Sequence, residues 1–288
     1  MEHVRKDPRE MDLRFCLAFP DTYSIGMSCN GLHVLYGLLN EMEDVYCERA
    51  FTPWLDMQQQ LRERHLPLCS HETFLPLREF DLIGFSLQHE MTYTNLLDML
   101  ELGGVPLPAT ERSADDPLII AGGPCASNPE PLADFVDLFL PGEAEEILPD
   151  LMRTCIALKR QTGSRTARLA ELARRVPGVY APSLYHAKWN PDGRLTTLDP
   201  KPEYAEIAPR AIEQSCIRDL AAAYVPDRPI VPFAEIVHDR ISIEIMRGCT
   251  RGCRYCHAGM TRRPVRWRTP ELITELAEKQ YAATGYDQ

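Results

Sequence analysis

The stretch DLIGFSLQHEMTYTNLLDML, residues 81–100, sets an apolar run directly before a segment whose apolar residues recur at helical spacing. A continuous run such as 81–87 suits a strand covered on both faces, and the 3.6-residue period of 93–102 suits a helix with one face on a core. The unit is a strand followed by a helix.

The same unit recurs on both sides. Upstream, RFCLAFP (14–20) reads as a strand followed by a helix at 27–40, and 45–51 as a strand followed by a helix at 53–64. Downstream, strand 118–121 precedes a short helix near Pro131, and strand 136–140 precedes a helix at 144–159. Repeated βα units predict an α/β fold built on a doubly wound parallel sheet, with residues 1–160 as the first domain. Ligands of such sheets sit beyond the carboxyl ends of the strands. Here those ends carry Asp21, Ser86, Gly122, Gly123, Gly142 and Glu143, a set that either lets a ligand approach the backbone or simply makes tight turns. No nucleotide fingerprint competes: GMSCNG (26–31) lacks the Lys-Ser/Thr of a P-loop, and no G-x-G-x-x-G follows a strand.

Residues 161–240 read as a connecting region. A helix at 165–176 is followed by a hairpin over 179–198 turned at Asn190-Pro191-Asp192-Gly193, and 200–234 is a proline-rich, mostly extended linker. A new strand at 241–246 then leads into RGCTRGCRYCHAGM (247–260), which sets Cys249, Cys253 and Cys256 in C-x3-C-x2-C spacing. Thr269 as N-cap and Pro270 at the first helical position start the next helix, and Gly285-Tyr286 is expected to open a further strand.

Composition bounds the function. The net charge of −11 argues against a general nucleic-acid surface, although a nucleic-acid substrate is not excluded. Residues 247–268 hold seven arginines and no acid, a basic island that is either a solvated patch or a functional one. No stretch reads as a signal peptide or a membrane span, so no membrane is expected and a cytoplasmic location is the default. Ten cysteines in such a chain point to reduced thiols or metal ligands. Cys16, Cys29, Cys47, Cys69, Cys125, Cys155 and Cys216 lack ligand spacing and read as small apolar residues.

Three readings of the cysteine loop compete. Cys253 to His257 matches the C-x-x-C-H of c-type haem attachment, which normally follows export. A structural zinc site would need a fourth ligand, and His257, adjacent to Cys256, is poorly placed to supply it. A four-iron cluster held by three thiolates leaves one iron open to an outside ligand.

The loop resembles that of the radical S-adenosylmethionine (SAM) enzymes. The resemblance implies that Cys249, Cys253 and Cys256 hold a [4Fe-4S] cluster, that SAM chelates the open iron, and that an electron donor reduces the cluster so that SAM is cleaved and radical chemistry begins. It also implies that Tyr255, Gly259 and Met260 lie near the adenine; for Tyr255 the alternative is a ring packed over the loop. Further stretches, FPDTYSIGMSCNGLHVLYGLLN (19–40), DLIGFSLQHEMTYTNLLDML (81–100), LIIAGGPCASNPEPLADFVD (118–137) and LPGEAEE (140–146), are similar to an uncharacterised family of bacterial radical SAM proteins with a cobalamin-binding-like front domain. Cobalamin is therefore a further candidate cofactor, with Ser86, Gly122, Gly123, Gly142 and Glu143 lining its site. The D-x-H-x-x-G pattern of cobalamin ligation is missing, since none of the eight histidines follows an Asp by two positions. Residues 241–288 offer room for the first βα unit of an incomplete radical SAM barrel, so the chain is expected to be an N-terminal fragment, inactive without the missing C-terminal barrel portion. The competing reading is a non-catalytic module in which the same cysteines hold a structural metal and the α/β domain binds a partner.

Overall fold

Strands with no polar face persist only where both faces are covered, and the apolar runs assemble accordingly. The structure, a computed structural model, describes residues 6–159 and 163–286. Strands β1 (Leu13–Phe19), β2 (Val45–Phe51), β3 (Leu82–Ser86), β4 (Leu118–Gly122) and β5 (Leu138–Leu140) form one parallel sheet in the order β2-β1-β3-β4-β5. Helices α1 (Tyr23–Gly26) and α2 (Asn30–Glu41) follow β1, α3 (Leu55–Arg64) follows β2, α4 (Tyr93–Leu102) follows β3, and α5 (Ala144–Lys159) and α6 (Arg165–Arg175) follow β5. Helix α2 packs on α5 and α5 on α6, while α3 packs on α4. The chain reverses direction across the sheet after β2, and right-handed crossovers then put these two groups on opposite faces. Between them Phe15, Leu39, Ile83, Phe85, Met99, Ile119, Phe139 and Leu151 are buried.

The doubly wound parallel sheet is thus the one expected, with local departures. Strand β5 starts later than expected because Asp137 is a buried junction. Its carboxylate accepts from the Ile119 amide at 2.8 Å, from Arg112 at 3.0 Å and from Arg165 at 2.7 Å. The short helix near Pro131 is one 3-10 turn, Glu130–Leu132. The boundary expected at residue 160 falls outside the described residues.

The hairpin pairs β6 (Tyr185–Trp189) with β7 (Leu195–Pro200). The proline-rich segment after it is irregular, since each proline removes a donor, but it is docked rather than free. Ala208, Ile217, Leu220 and Ile230 are buried, and Ser215 bridges in parallel to Gly142 just beyond β5.

The strand expected at 241–246 forms differently. Only β8 (Met246–Arg247) joins a ladder, and its partner is antiparallel β9 (Arg266–Trp267), with Arg268 N–H adding a 2.9 Å bond to the Ile245 carbonyl. A strand needs a neighbour to pair with, and the neighbour here is the returning arm of the cysteine loop. The loop, which includes α7 (Ala258–Thr261), therefore rides on a short two-stranded ribbon rather than on a βα unit. Helix α8 (Pro270–Thr284) starts as expected, with the Thr269 hydroxyl accepting from Leu272 N–H at 3.3 Å. Gly285 does not open a strand; at φ 74° it is the left-handed C-cap of α8. Among the described residues no helix is long and apolar enough to cross a membrane.

Candidate functional site

In the order β2-β1-β3-β4-β5 the connections diverge between β1 and β3, so a crevice opens at the carboxyl ends of those two strands. A cavity of about 230 Å³ lies there, lined by Pro20, Asp21, Ser86, Gln88, His89 and His238 among others. A larger cleft of about 560 Å³ shares Cys29, Ser86 and Gln88 with it and runs on between the sheet edge and the cysteine loop. Gly123, Gly142 and Glu143 line its sheet side, and Gly248, Cys249 and Arg262 its loop side.

Five residues singled out in the sequence, Ser86, Gly123, Gly142, Glu143 and Cys249, thus face one cleft although they come from opposite ends of the chain. Gly122, Cys253, Tyr255, Cys256, Gly259 and Met260 are not among its lining residues. Tyr255 is 93% exposed, so its ring packs over nothing in the loop. Gly259 is buried beneath the loop, where a Cβ would stand 3.3 Å from the Arg251 carbonyl.

Close backbone approach does occur at Gly142, but the approaching group belongs to the chain itself. Its φ is +99°, and a Cβ there would stand 2.2 Å from the Ser215 carbonyl oxygen. Gly248, also at φ +99°, is hemmed in by the carbonyls of Arg262 and Pro264, each 2.4 Å from where a Cβ would be. That glycine turns the chain out of β8 directly into Cys249.

The thiols of Cys249, Cys253 and Cys256 are free, with Cys253 exposed and the other two partly so. Arg251 N–H points to the Cys249 sulfur at 3.4 Å, and Cys256 N–H bonds the Cys253 carbonyl at 3.1 Å. Among the described residues no three His, Cys, Asp or Glu side chains are gathered as a metal-binding group, these thiols included. The donor chemistry nevertheless fits an iron–sulfur cluster: three accessible thiols, an amide N–H beside one sulfur, and no carboxylate within the loop.

The sequence reading missed what anchors this loop. Glu143 is buried, and its carboxylate accepts from Arg266 at 2.7 and 2.8 Å and from the Ile217 amide at 2.7 Å, with Arg247 at 3.4 Å. Burial by itself raises the Glu143 carboxyl, but the Arg266 and Ile217 hydrogen bonds and the Arg247 charge carry it below the ordinary carboxylate value. Arg247 also pairs with Glu145 and Glu244, both at 2.7 Å. Desolvation pulls the Arg247 guanidinium down, and these two carboxylates more than reverse it, holding it well above its usual value. The available signal was charge complementarity between the acidic GEAEE (142–146) and the basic island, which does not specify a pairing.

Solved structures with this fold include the cobalamin-dependent SAM radical enzyme OxsB, with aqua-cobalamin and SAM bound. It aligns with a TM-score of 0.51 at 14% identity over 94% of this chain and 32% of its own. The radical SAM methyltransferase TsrM from Kitasatospora setae, solved with tryptophan substrate and a SAM analogue, also aligns at a TM-score of 0.51 and 14% identity, over 95% of this chain and 46% of its own. Both likenesses are of fold. Among curated proteins, the uncharacterized protein MJ0966 of Methanocaldococcus jannaschii is 24% identical over 267 residues, 91% of this chain and 45% of that protein, so the chain spans about half the length of this relative. The family described as radical SAM proteins, N-terminal, matches residues 31–182, from α2 to the turn before the hairpin, and the chain belongs to that family.

Proposed function

We propose that the chain is the front part of a radical SAM enzyme, in which Cys249, Cys253 and Cys256 hold a [4Fe-4S] cluster at the mouth of the cleft. The observation that carries this is the cleft itself: Cys249 lines the same cavity as the carboxyl edge of a sheet shared with an enzyme solved with SAM and cobalamin. When bound, the cluster supplies one electron to SAM, which opens radical chemistry on a substrate. The residues of this chain bind, orient and tune. Three thiolates leave one position for an outside ligand. Gly248 lets the chain turn from β8 into Cys249 without a side chain in the way. Arg251 and Arg254, both exposed, bring positive charge to a loop that gains negative charge on reduction. Cobalamin is a second candidate occupant, along the edge where Ser86, Gly123, Gly142 and Glu143 line the cleft. An external electron donor and further residues of a barrel would complete the reaction.

The test is anaerobic reconstitution with iron and sulfide, followed by electron paramagnetic resonance with and without SAM, and a parallel titration with cobalamin. About four irons per chain and a spectrum altered by SAM support the proposal. Zinc in place of iron under reconstituting conditions would favour the non-catalytic module.

A further inference from the structure

The carboxylate of Glu143 stands one residue past the glycine that ends the β5 edge, and it is occupied entirely by groups that come from elsewhere in the chain. Arg266 of β9 grips it with two nitrogens, at 2.7 and 2.8 Å. The Ile217 amide adds a 2.7 Å bond, and Arg266 returns to the Ile217 carbonyl, so Glu143, Ile217 and Arg266 close a ring of hydrogen bonds. On the other arm of the ribbon, Arg247 of β8 reaches Glu143 at 3.4 Å and Glu145 at 2.7 Å. Both arms of the ribbon that carries the cysteine loop are therefore tied to one point on the sheet, and that point lines the cleft. The ribbon's own ladder is only two residue pairs long, too short to hold an orientation by itself.

We infer that Glu143 is a positioning residue: it fixes the ribbon, and through the ribbon the cysteine loop, against the carboxyl edge of the sheet, so that a group held by the loop faces the cleft. The inference rests on the proposed function for what the loop holds, but the clamp itself is a property of the chain without any cofactor. A bidentate arginine pair with a shared backbone donor suits this role because it restricts direction as well as distance, which a single ion pair does not.

The test compares the wild type with Glu143→Ala and the volume-conserving Glu143→Gln by hydrogen–deuterium exchange on the chain as it is, then by spectroscopy after reconstitution. Local opening should speed exchange at 215–218, 245–248 and 266–268 by about tenfold or more in Glu143→Ala, and less in Glu143→Gln, with peptides of β1 to β4 unchanged. After reconstitution, both variants should take up as much iron as the wild type, since the cysteines are intact. Their response of the paramagnetic spectrum to SAM should require more ligand, with Glu143→Gln partly restoring the wild-type response. Wild-type exchange at all three segments in a folded Glu143→Ala chain overturns the inference, as does an unshifted SAM response in both variants. If Glu143→Ala does not fold, the same readings on Glu143→Gln decide it. Failure of the wild type to take up iron would instead count against the proposed function, while the exchange comparison still decides the clamp.

Discussion

The Nε2 of His257 stands 3.1 Å from the Oγ of Ser127, which joins the cysteine loop to the turn that follows β4. The Ser127 hydroxyl already donates its proton to the Pro124 carbonyl at 2.7 Å, so the serine oxygen is the acceptor and His257 donates from Nε2. The residue next to Cys256 is thereby held to the sheet edge, a second attachment for the loop besides the ribbon.

This contact predicts that nitrogen-15 spectra of His257 at pH 8 show the Nε2-protonated tautomer. Ser127→Ala should lower that preference and cost less than about 1 kcal/mol in urea denaturation, because the bond is exposed. A dominant Nδ1-protonated form in the wild type would contradict the assignment.

Replacement of Cys249, Cys253 and Cys256 together by alanine should abolish iron and sulfide uptake on reconstitution. Cys125→Ala should leave uptake unchanged, since that thiol is buried beside Tyr93 and burial, the largest influence, raises it above its ordinary value. Colorimetric iron and sulfide per chain is the measurement, and full uptake by the triple variant would remove the basis of the cluster assignment.

Gly142→Ala should destabilise the chain by about 2 kcal/mol or more, because alanine at φ +99° is strained and its Cβ collides with the Ser215 backbone. Thermal melting should register a fall of several degrees. Gly163→Ala, with nothing within 4 Å of the added methyl, should leave the midpoint almost unmoved.

His33 predicts a pH dependence. Burial, and to a lesser degree the Arg49 charge, lowers it from 6.5, against the Met27 carbonyl, which accepts from Nε2 at 2.8 Å. Protonation would add an N–H at Nδ1, a buried atom with no partner among the described residues. The folded value lies below the unfolded one, so this contribution to stability is complete above pH 6.5 and is lost as pH falls through 6.5 towards the folded value. Denaturation free energies of the wild type should decline from about pH 6.5 downward, and His33→Gln should flatten that part of the curve. His71, lowered first by burial and then by Arg49, adds a contribution of the same sign.

Residues 93–102 and 144–159 took the elements that their periodicity implies, with the same bounds, because each lays an apolar face on the core. Residues 45–51 also form the expected strand, although Glu48 and Arg49 are buried in it and held by Ser70, Thr73 and Glu72. Expectations departed where a polar side chain or a backbone partner from elsewhere took over. Asp137 captures a strand amide, and residues 245–247 pair with the returning arm of their own loop instead of starting a parallel unit.

By itself the sequence determined the parallel doubly wound sheet, the small residues at its carboxyl edge and the three thiols that suit a cluster, since apolar period and ligand spacing are local properties of a chain. Only the tertiary structure decided that Cys249 faces Ser86, Gly123 and Glu143 across one cleft, and that Glu143 is held by Arg247 and Arg266. Charges pair by distance in space, and which of seven arginines in a basic run reaches one carboxylate more than a hundred residues away is settled by how the ribbon docks on the sheet.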